Sequence, residues 1–396
     1  MIGTAIAFLA LAAWAYLLIG RGRFWLGRER DDSVRLAGDS KAPNPPASWP
    51  AVVAIIPARD EADVIADSVG SLLRQDYGGP SSVVVVDDQS TDGTAAAARA
   101  AASAAGAADR LRIVAGTGVA PSWTGKLWAM RQGLAAIEAD AAAPEFVLFS
   151  DADIAYAPHV LARLVAIARA RGSVLTSLMV KLRCESAAEH WLIPSFVFFF
   201  QMLYPFAWVN DVRRRTAAAA GGCMLARRES LAAAGGLDAL RGALIDDCAL
   251  AAVMKRQGPI WLGLTESVRS LRAYPDFADI RRMVARSAFA ELRYSVVRLA
   301  GTVAGMALVY LAPPFFALFA RGAAQAAGAL AWAMMALAFA PTMRLYGRQL
   351  AGGLALPAIA AAYLAFTLDS AIQYWRGRGG YWKGRIQAPA REAGRA

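Results

Sequence analysis

The sequence predicts an α/β domain on a mostly parallel, Rossmann-like sheet, flanked by N-terminal and C-terminal transmembrane helices. Three observations carry this expectation. Runs almost free of charge lie at residues 2–19 and from about 299 to 375. Between them, short β-branched runs alternate with helical stretches, the pattern of a sheet covered on both faces. The composition is intermediate, 57% hydrophobic against 18% charged, too apolar for an ordinary soluble enzyme and too polar for a chain that is membrane throughout.

Residues 2–19 are long enough to cross a bilayer core. The basic cluster Arg21, Arg23, Arg28 and Arg30 follows the run and does not precede it, which favours an anchor over a cleaved signal peptide. The positive-inside rule then sets the N-terminus outside and the following chain in the cytoplasm, at a bacterial-type inner membrane. A basic, proline-rich linker fills 21–50, ending in the run Lys41 to Pro50.

Within 51–280, strands are expected at 52–56, 83–86, 111–115, 146–150 and 173–180, with an amphipathic helix at 61–75 and an alanine-rich helix ending near Gly106. In such sheets ligands meet the carboxyl ends of the strands. An amphipathic interfacial helix is expected at 281–298. Beyond it, Arg321, Arg344 and Arg348 divide 299–375 into three candidate spans, with Pro313-Pro314 able to kink the first or make it re-entrant. The basic tail 376–396 carries Arg376, Arg378, Lys383 and Arg385. Three full spans would put it outside against the charge rule, whereas two spans and a re-entrant segment would keep it in the cytoplasm. The aromatic run 191–208 reads as an interfacial or acceptor-facing helix.

The net charge of +11 collects beside the apolar runs, which points to anionic lipid and not to nucleic acid. Three scattered cysteines and two histidines exclude a disulfide framework and any chemistry resting on a histidine pair. The chemistry-bearing residues are acidic and follow predicted strands: Asp60-Glu61 after the first, Asp87-Asp88 and Asp92 after the second, Asp151 and Asp153 after the fourth. As helix caps they would be ordinary, since Asp92 with Thr94 makes a plausible cap. Three such clusters at successive strand ends indicate a site. In an extended D-x-D, both carboxylates leave one side of the chain and can share Mg²⁺ or Mn²⁺, which bridge substrate phosphates. Asp246-Asp247 open a further helix, where the helix dipole favours the ionised form that a general base needs.

These segments together resemble the family 2 glycosyltransferases of GT-A fold over roughly residues 52–258: IIPARDE, VVDDQSTDGT, Gly125-Lys126, SDAD, GGCM at 221–224 and IDDCAL at 245–250. The resemblance implies a nucleotide-sugar donor, with Pro57, Arg59 and Glu61 at the nucleoside, Asp88 on a uracil ring and Lys126 near the nucleotide. It places Asp151 at the ribose or metal, Asp153 on the metal against the diphosphate, and the Asp246-Asp247 pair at the acceptor, with Asp247 as base. The implied reaction is a single inverting displacement.

The Q-x-x-R-W motif of processive synthases is missing from 281–295, where Arg286 or Arg293 could serve in part, so one sugar per acceptor is expected. The layout, with SWTGKLWAMRQGL at 122–134 and YWKGR at 381–385, resembles the hopene-associated enzymes, relatives of ceramide and carotenoid glucosyltransferases. That resemblance implies a lipid acceptor, with a hopanoid leading. Acceptor contacts are expected from Gly222, Phe199 and Arg286. A polyprenyl-phosphate acceptor served by Arg213–Arg215 or Arg281-Arg282, and a non-enzymatic membrane scaffold, are the alternatives.

Overall fold

The computed structural model describes residues 1–34, 48–138, 143–381, 383–385 and 387. Most of the proline-rich linker and the end of the basic tail lie outside the described residues. The chain divides into two compact units: an α/β unit (29–183 and 208–272) and a helical unit (1–28, 184–207 and 273–396). The aromatic run through residue 207 therefore belongs with the helices.

Among the described residues, the α/β unit holds one eight-stranded sheet: β1 Val52–Ala58, β2 Ser81–Asp87, β3 Leu111–Ala115, β4 Phe146–Ser150, β5 Ile154–Tyr156, β6 Leu175–Lys181, β7 Cys223–Arg227 and β8 Ile260–Ser270. Their order is β3-β2-β1-β4-β7-β6-β8-β5. β3, β2, β1 and β4 run parallel, while β7 lies antiparallel between β4 and β6. Helices α2 Ile65–Leu73, α3 Thr94–Ala104, α4 Gly125–Glu138, α5 Val160–Arg171, α8 Arg228–Ala233 and α9 Asp246–Met254 belong to this unit. All five residues of β4 are buried, as a strand covered on both faces requires. All five predicted strands form; β5, β7 and β8 were not foreseen.

The chain leaves β1 towards β2 and β3, then returns to β4 on the other side of β1, so the switch in strand order falls between β1 and β4. The two strands pair only as far as Ile55 with Phe149, whereas β1 and β2 stay paired to Ala58 with Asp87. Pro57 stands two residues beyond the last β1–β4 pair, where its missing N–H costs that ladder nothing, and a crevice opens. The helix expected from Glu61 starts later, at Ile65, because the Glu61 amide is taken by Thr94 Oγ1 at 2.9 Å.

In the helical unit, α1 is Ile2–Ile19 and α6 is Ala187–Leu203, with the single turn α7 Phe206–Val209 after it. A capping box opens α6: Ser186 accepts from the Glu189 amide, and the Glu189 carboxylate accepts from the Ser186 amide. Glu189 is fully buried, and its carboxylate also takes the amides of Glu185 and Tyr274, which accounts for an ionisable group in that position. The stretch expected as one amphipathic helix at 281–298 is broken into α10 Phe277–Ala285, α11 Ala288–Glu291 and the start of α12 Val296–Met306. Arg293 and Tyr294 are left-handed at the break, and Ser295 caps α12.

A π-helical turn at Ala307–Leu311 joins α12 to α13 Ala312–Phe319; α14 Gly322–Leu345 and α15 Leu356–Trp375 follow. The prolines start α13 without reversing the chain. Among the described residues, four segments are long and apolar enough to cross a membrane: Ile2–Ile19, Val296–Phe319, Gly322–Leu345 and Leu350–Trp375.

Contacts within the unit order these segments in depth. Gly3 meets Phe316, and Trp14 Nε1 donates to Val309 O at 2.7 Å, so α1 runs against α12–α13. Ala7 packs with Ala324 and Ala327, while Gly328 meets Pro313 and Ala317, so α14 returns beside them. After α14 the chain does not move on: Gly353 lies against Ala336, and Leu354 O accepts from Trp332 Nε1 at 3.0 Å. Ala336 is nine residues, or about 14 Å, from the end of α14. α15 then starts level with the middle of α14 and runs back to the beginning of α12, where Ala371 packs with Leu299 and Tyr374 stacks on Tyr294 at 4.4 Å.

Candidate active site

The loops after β1 and β2 are stitched by their own acidic and hydroxyl side chains. Asp60 is left-handed, and its Oδ1 accepts from the Thr91 amide at 2.8 Å. Asp92 accepts from the Ala62 and Thr94 amides at 2.9 and 3.1 Å. Asp60 and Asp92 are thus spent on loop shape, the capping role that Asp92 and Thr94 suggested. Asp88 is 1% exposed, with Arg59 Nη1 on its carbonyl at 2.6 Å and 4.0 Å from its carboxylate. Arg59 Nε is buried without a hydrogen-bond acceptor, its ion-pair partner Asp60 Oδ2 standing 4.0 Å away.

Asp151, Ala152 and Asp153 form a turn between β4 and β5, not the extended D-x-D expected from the sequence. The two carboxylates go to different cations. Asp151 Oδ1 lies 2.8 Å from Lys126 Nζ, and the same ammonium lies 3.0 Å from Asp246 Oδ2. Asp153 Oδ2 accepts from Ser270 Oγ and Arg272 Nε, both at 3.1 Å, and Arg272 Nη2 reaches Glu61 Oε1 at 2.7 Å. Among the described residues no group of three or more His, Cys, Asp or Glu side chains could hold a metal ion alone.

Asp246 and Asp247 stand in the first turn of α9. The Asp247 carboxylate accepts from the Gly221 amide at 3.0 Å through Oδ2 and from the Cys248 amide at 2.7 Å through Oδ1. A Cβ at Gly221 would come within 3.2 Å of Lys126 Nζ and 3.3 Å of Asp247 Oδ2, so a side chain there would crowd both groups. Desolvation, with the Asp246 charge beside it, pushes the Asp247 carboxyl up to about 6 against the pull of Lys126 and the two amides. Burial works against a charged Lys126, but Asp151 and Asp246 outweigh it and raise its pKa.

The α/β unit therefore brings together Lys126, Asp151, Asp246 and Asp247, and separately Glu61, Asp153 and Arg272. Gly222 follows Gly221, whose amide meets Asp247; the Gly222 carbonyl accepts from Tyr156 Oη at 3.1 Å, and a Cβ there would strike Val180. Phe199 and Arg286 belong to the helical unit. Phe199 packs on Tyr363 and Tyr310, with ring centroids 4.9 and 5.6 Å away, and Arg286 closes α10. Sequence reasoning missed Ser270 and Arg272: they end and follow a strand that was not foreseen, and neither arginine of RSLRAYP carries a signal of its partners.

A family model described as glycosyltransferase-like family 2 matches residues 50–275. No curated protein sequence matches the chain. Among solved structures, the mannosyltransferase PcManGT from Pyrobaculum calidifontis, in complex with GDP-Man and Mn²⁺, is similar at TM-score 0.55 and 22% identity, covering 94% of this chain and 98% of that one. Glucosyl-3-phosphoglycerate synthase from M. tuberculosis reaches TM-score 0.36 at 22% identity, covering 60% and 78%. TarS from S. aureus reaches 0.39 at 16%, covering 82% and 55%.

Proposed function

The chain belongs to the glycosyltransferase-like family 2, and from that premise we propose that it moves one sugar from a nucleotide sugar to a membrane-lipid hydroxyl in an inverting, metal-assisted step. It is a nucleotide-sugar-dependent glycosyltransferase; the acceptor, the stereochemistry and the residue roles are our reading. The observation that carries it is the Lys126 ammonium, within 3.0 Å of both Asp151 and Asp246. One cation joins the carboxylate after β4, on the donor side, to the pair that opens α9, on the acceptor side.

Asp247 takes the proton from the acceptor hydroxyl, held in place by the Gly221 and Cys248 amides. Asp246 faces Lys126 and is the positioning member of the pair. Attack on the anomeric carbon from the face opposite the nucleotide inverts that centre. Pro57, Arg59, Glu61 and Asp88 form the nucleoside loop, and the buried Arg59 Nε, which lacks a hydrogen-bond acceptor, supports a polar ligand there.

Asp153 and Asp151 would hold Mg²⁺ or Mn²⁺ together with the donor diphosphate. Such ions need only one or two protein carboxylates beside phosphates and water, so the pair fits without a third acidic group. When bound, the ion offsets charge developing on the leaving diphosphate. Lys126 adds a second positive charge beside that position.

A neutral lipid alcohol, with a hopanoid leading, is favoured over a polyprenyl phosphate. Three of the five basic groups an anionic acceptor would draw on already have carboxylate partners: Arg213 with Asp211, Arg281 with Asp369 and Arg282 with Asp279. The apolar segments support a membrane-bound enzyme, with the catalytic unit on the cytoplasmic side of an inner membrane. The return of α15 to the start of α12 supports three crossings and one re-entrant segment, which keeps the tail on that side. Purified enzyme incubated with a panel of nucleotide sugars and membrane lipid extract, with products read by mass spectrometry, tests the reading. A glycosylated neutral lipid is expected, and a product only on lipid phosphate would overturn the acceptor assignment.

A further inference from the structure

The crevice between the ends of β1 and β4 is spanned by one side chain. Glu61 stands three residues past β1 and Asp153 three residues past β4. They are 8% and 7% exposed, and two ionised carboxylates facing one crevice repel. The Arg272 guanidinium answers both, giving Nε to Asp153 Oδ2 at 3.1 Å and Nη2 to Glu61 Oε1 at 2.7 Å.

Its backbone is anchored to the same turn. The Leu271 amide donates to Asp153 O at 2.7 Å, and β5 pairs antiparallel with β8 through Ile154 and Ser270. Ser270 Oγ donates to Asp153 Oδ2 at 3.1 Å and accepts from the Arg272 amide at 3.3 Å. Residues 270–272 thus surround one edge of Asp153, with both side-chain donors on Oδ2. The opposite oxygen, Oδ1, is the one this arrangement offers to a ligand.

We propose that Arg272 is a positioning residue of the donor site. It sets the separation between the nucleoside loop and the metal-side carboxylate, and presents Asp153 Oδ1 to a divalent cation and diphosphate. The planar fork suits the task, because one rigid group can fix two carboxylates at once, whereas a lysine ammonium cannot hold that geometry. A carboxylate oriented by such a partner binds metal about 10–100-fold more tightly than one left to rotate.

The inference rests on Asp153 facing the metal, and the experiment separates the two. Binding of UDP, with GDP as a second probe, is measured by calorimetry with and without Mn²⁺, and free Mn²⁺ is followed by electron paramagnetic resonance. The wild type, Arg272→Gln, Arg272→Lys and Asp153→Ala are compared. If wild-type binding is independent of Mn²⁺, or Asp153→Ala keeps its Mn²⁺ dependence, the metal role of Asp153 itself fails.

With that role standing, Arg272→Gln is expected to weaken Mn²⁺-dependent nucleotide binding about 10–100-fold, with a smaller loss of metal-free binding through the released Glu61. Arg272→Lys is expected to recover only part of the loss, and it carries the same test if the glutamine variant does not fold. Unchanged Mn²⁺-dependent binding overturns the proposal. An equal loss with and without metal also overturns it, since Arg272 would then contact the nucleotide directly.

Discussion

In the α/β unit charges are gathered inside: Lys126 between Asp151 and Asp246, and Arg272 between Asp153 and Glu61. In the helical unit they are kept at the ends of the apolar segments. Arg21 is tied to the carbonyls of Met202 and Leu203, Arg344 stands in the last turn of α14, and Asp369 near the end of α15 pairs with Arg281. The contrast follows from what each region must do. A pair of opposite charges under protein cover can be reopened by a charged ligand, whereas a charge within hydrocarbon only adds cost. Changing one charge should therefore alter chemistry in the first region and depth or sidedness in the second.

The largest expected effect lies in the first region. Asp247→Asn keeps the shape and one of the two amide contacts but cannot accept a proton. Turnover should fall about 10²–10⁴-fold with nucleotide affinity unchanged, measured by steady-state kinetics beside calorimetry. A dead Asp246→Asn beside an active Asp247→Asn would move the base by one residue.

The same group predicts a smaller, graded effect. With its pKa pushed up to about 6, Asp247 is ionised above that pH and protonated below it, so the rate should fall through an acid limb. At pH 5 about one carboxyl in eleven is ionised, a loss of about tenfold. The charges facing it are Asp246 and Lys126. Asp246→Asn removes the repelling one and should move the limb to lower pH. A limb that stays in place would assign it to another group.

How much was legible follows the same division. The strands and the acidic clusters after them could be read because a covered parallel sheet demands continuous apolar runs and ligand groups at their ends. The partners of those acids could not. Lys126 meets Asp246 across 120 positions of sequence, and Arg272 meets Glu61 across 211; nothing local in either segment announces the other. The geometry of Asp151 and Asp153 was also beyond pattern reading, because Ala152 and Asp153 turn towards β5, too short a strand to recognise. In the helical unit, length and charge located the apolar segments, but depth is a property of contacts. Pro313-Pro314 suggested a kink or re-entry, but proline is tolerated in the first turn of α13 and the helix continues through the pair. The re-entry we propose lies instead at Gly352 and Gly353, where a Cβ at Gly353 would strike the Ala336 backbone.

That return gives the third prediction, a test of sidedness. Tyr381 is 62% exposed and lies in the basic tail. With Cys184, Cys223 and Cys248 replaced by alanine, Tyr381→Cys should react with an impermeant maleimide only after cells are permeabilised. Labelling in intact cells would mean that Leu350–Trp375 crosses fully.

The smallest effect probes what lets the chain turn back at that depth. Residues Leu350–Ala355 form a short 3₁₀ segment, whose carbonyls cannot all be satisfied within it. Away from water an unpaired carbonyl is costly, so non-helical backbone at membrane depth needs a partner from the protein. Trp332 supplies one, its indole N–H meeting Leu354 O at 3.0 Å. Only the last stretch before Asp369 is then left for α15 to bury. Residues 356–368 carry no charge, and at about 1.5 Å per residue they cover about 20 Å, short of a bilayer core of about 30 Å. Trp332→Phe keeps the ring surface and removes the donor. Thermal unfolding in detergent should show a loss of about 1–3 kcal/mol, the range for one buried carbonyl left unpaired, with donor binding in the α/β unit unchanged. A Trp332→Phe protein as stable as the wild type would mean that Leu354 O finds water, and that the turn lies at the membrane surface and not within it.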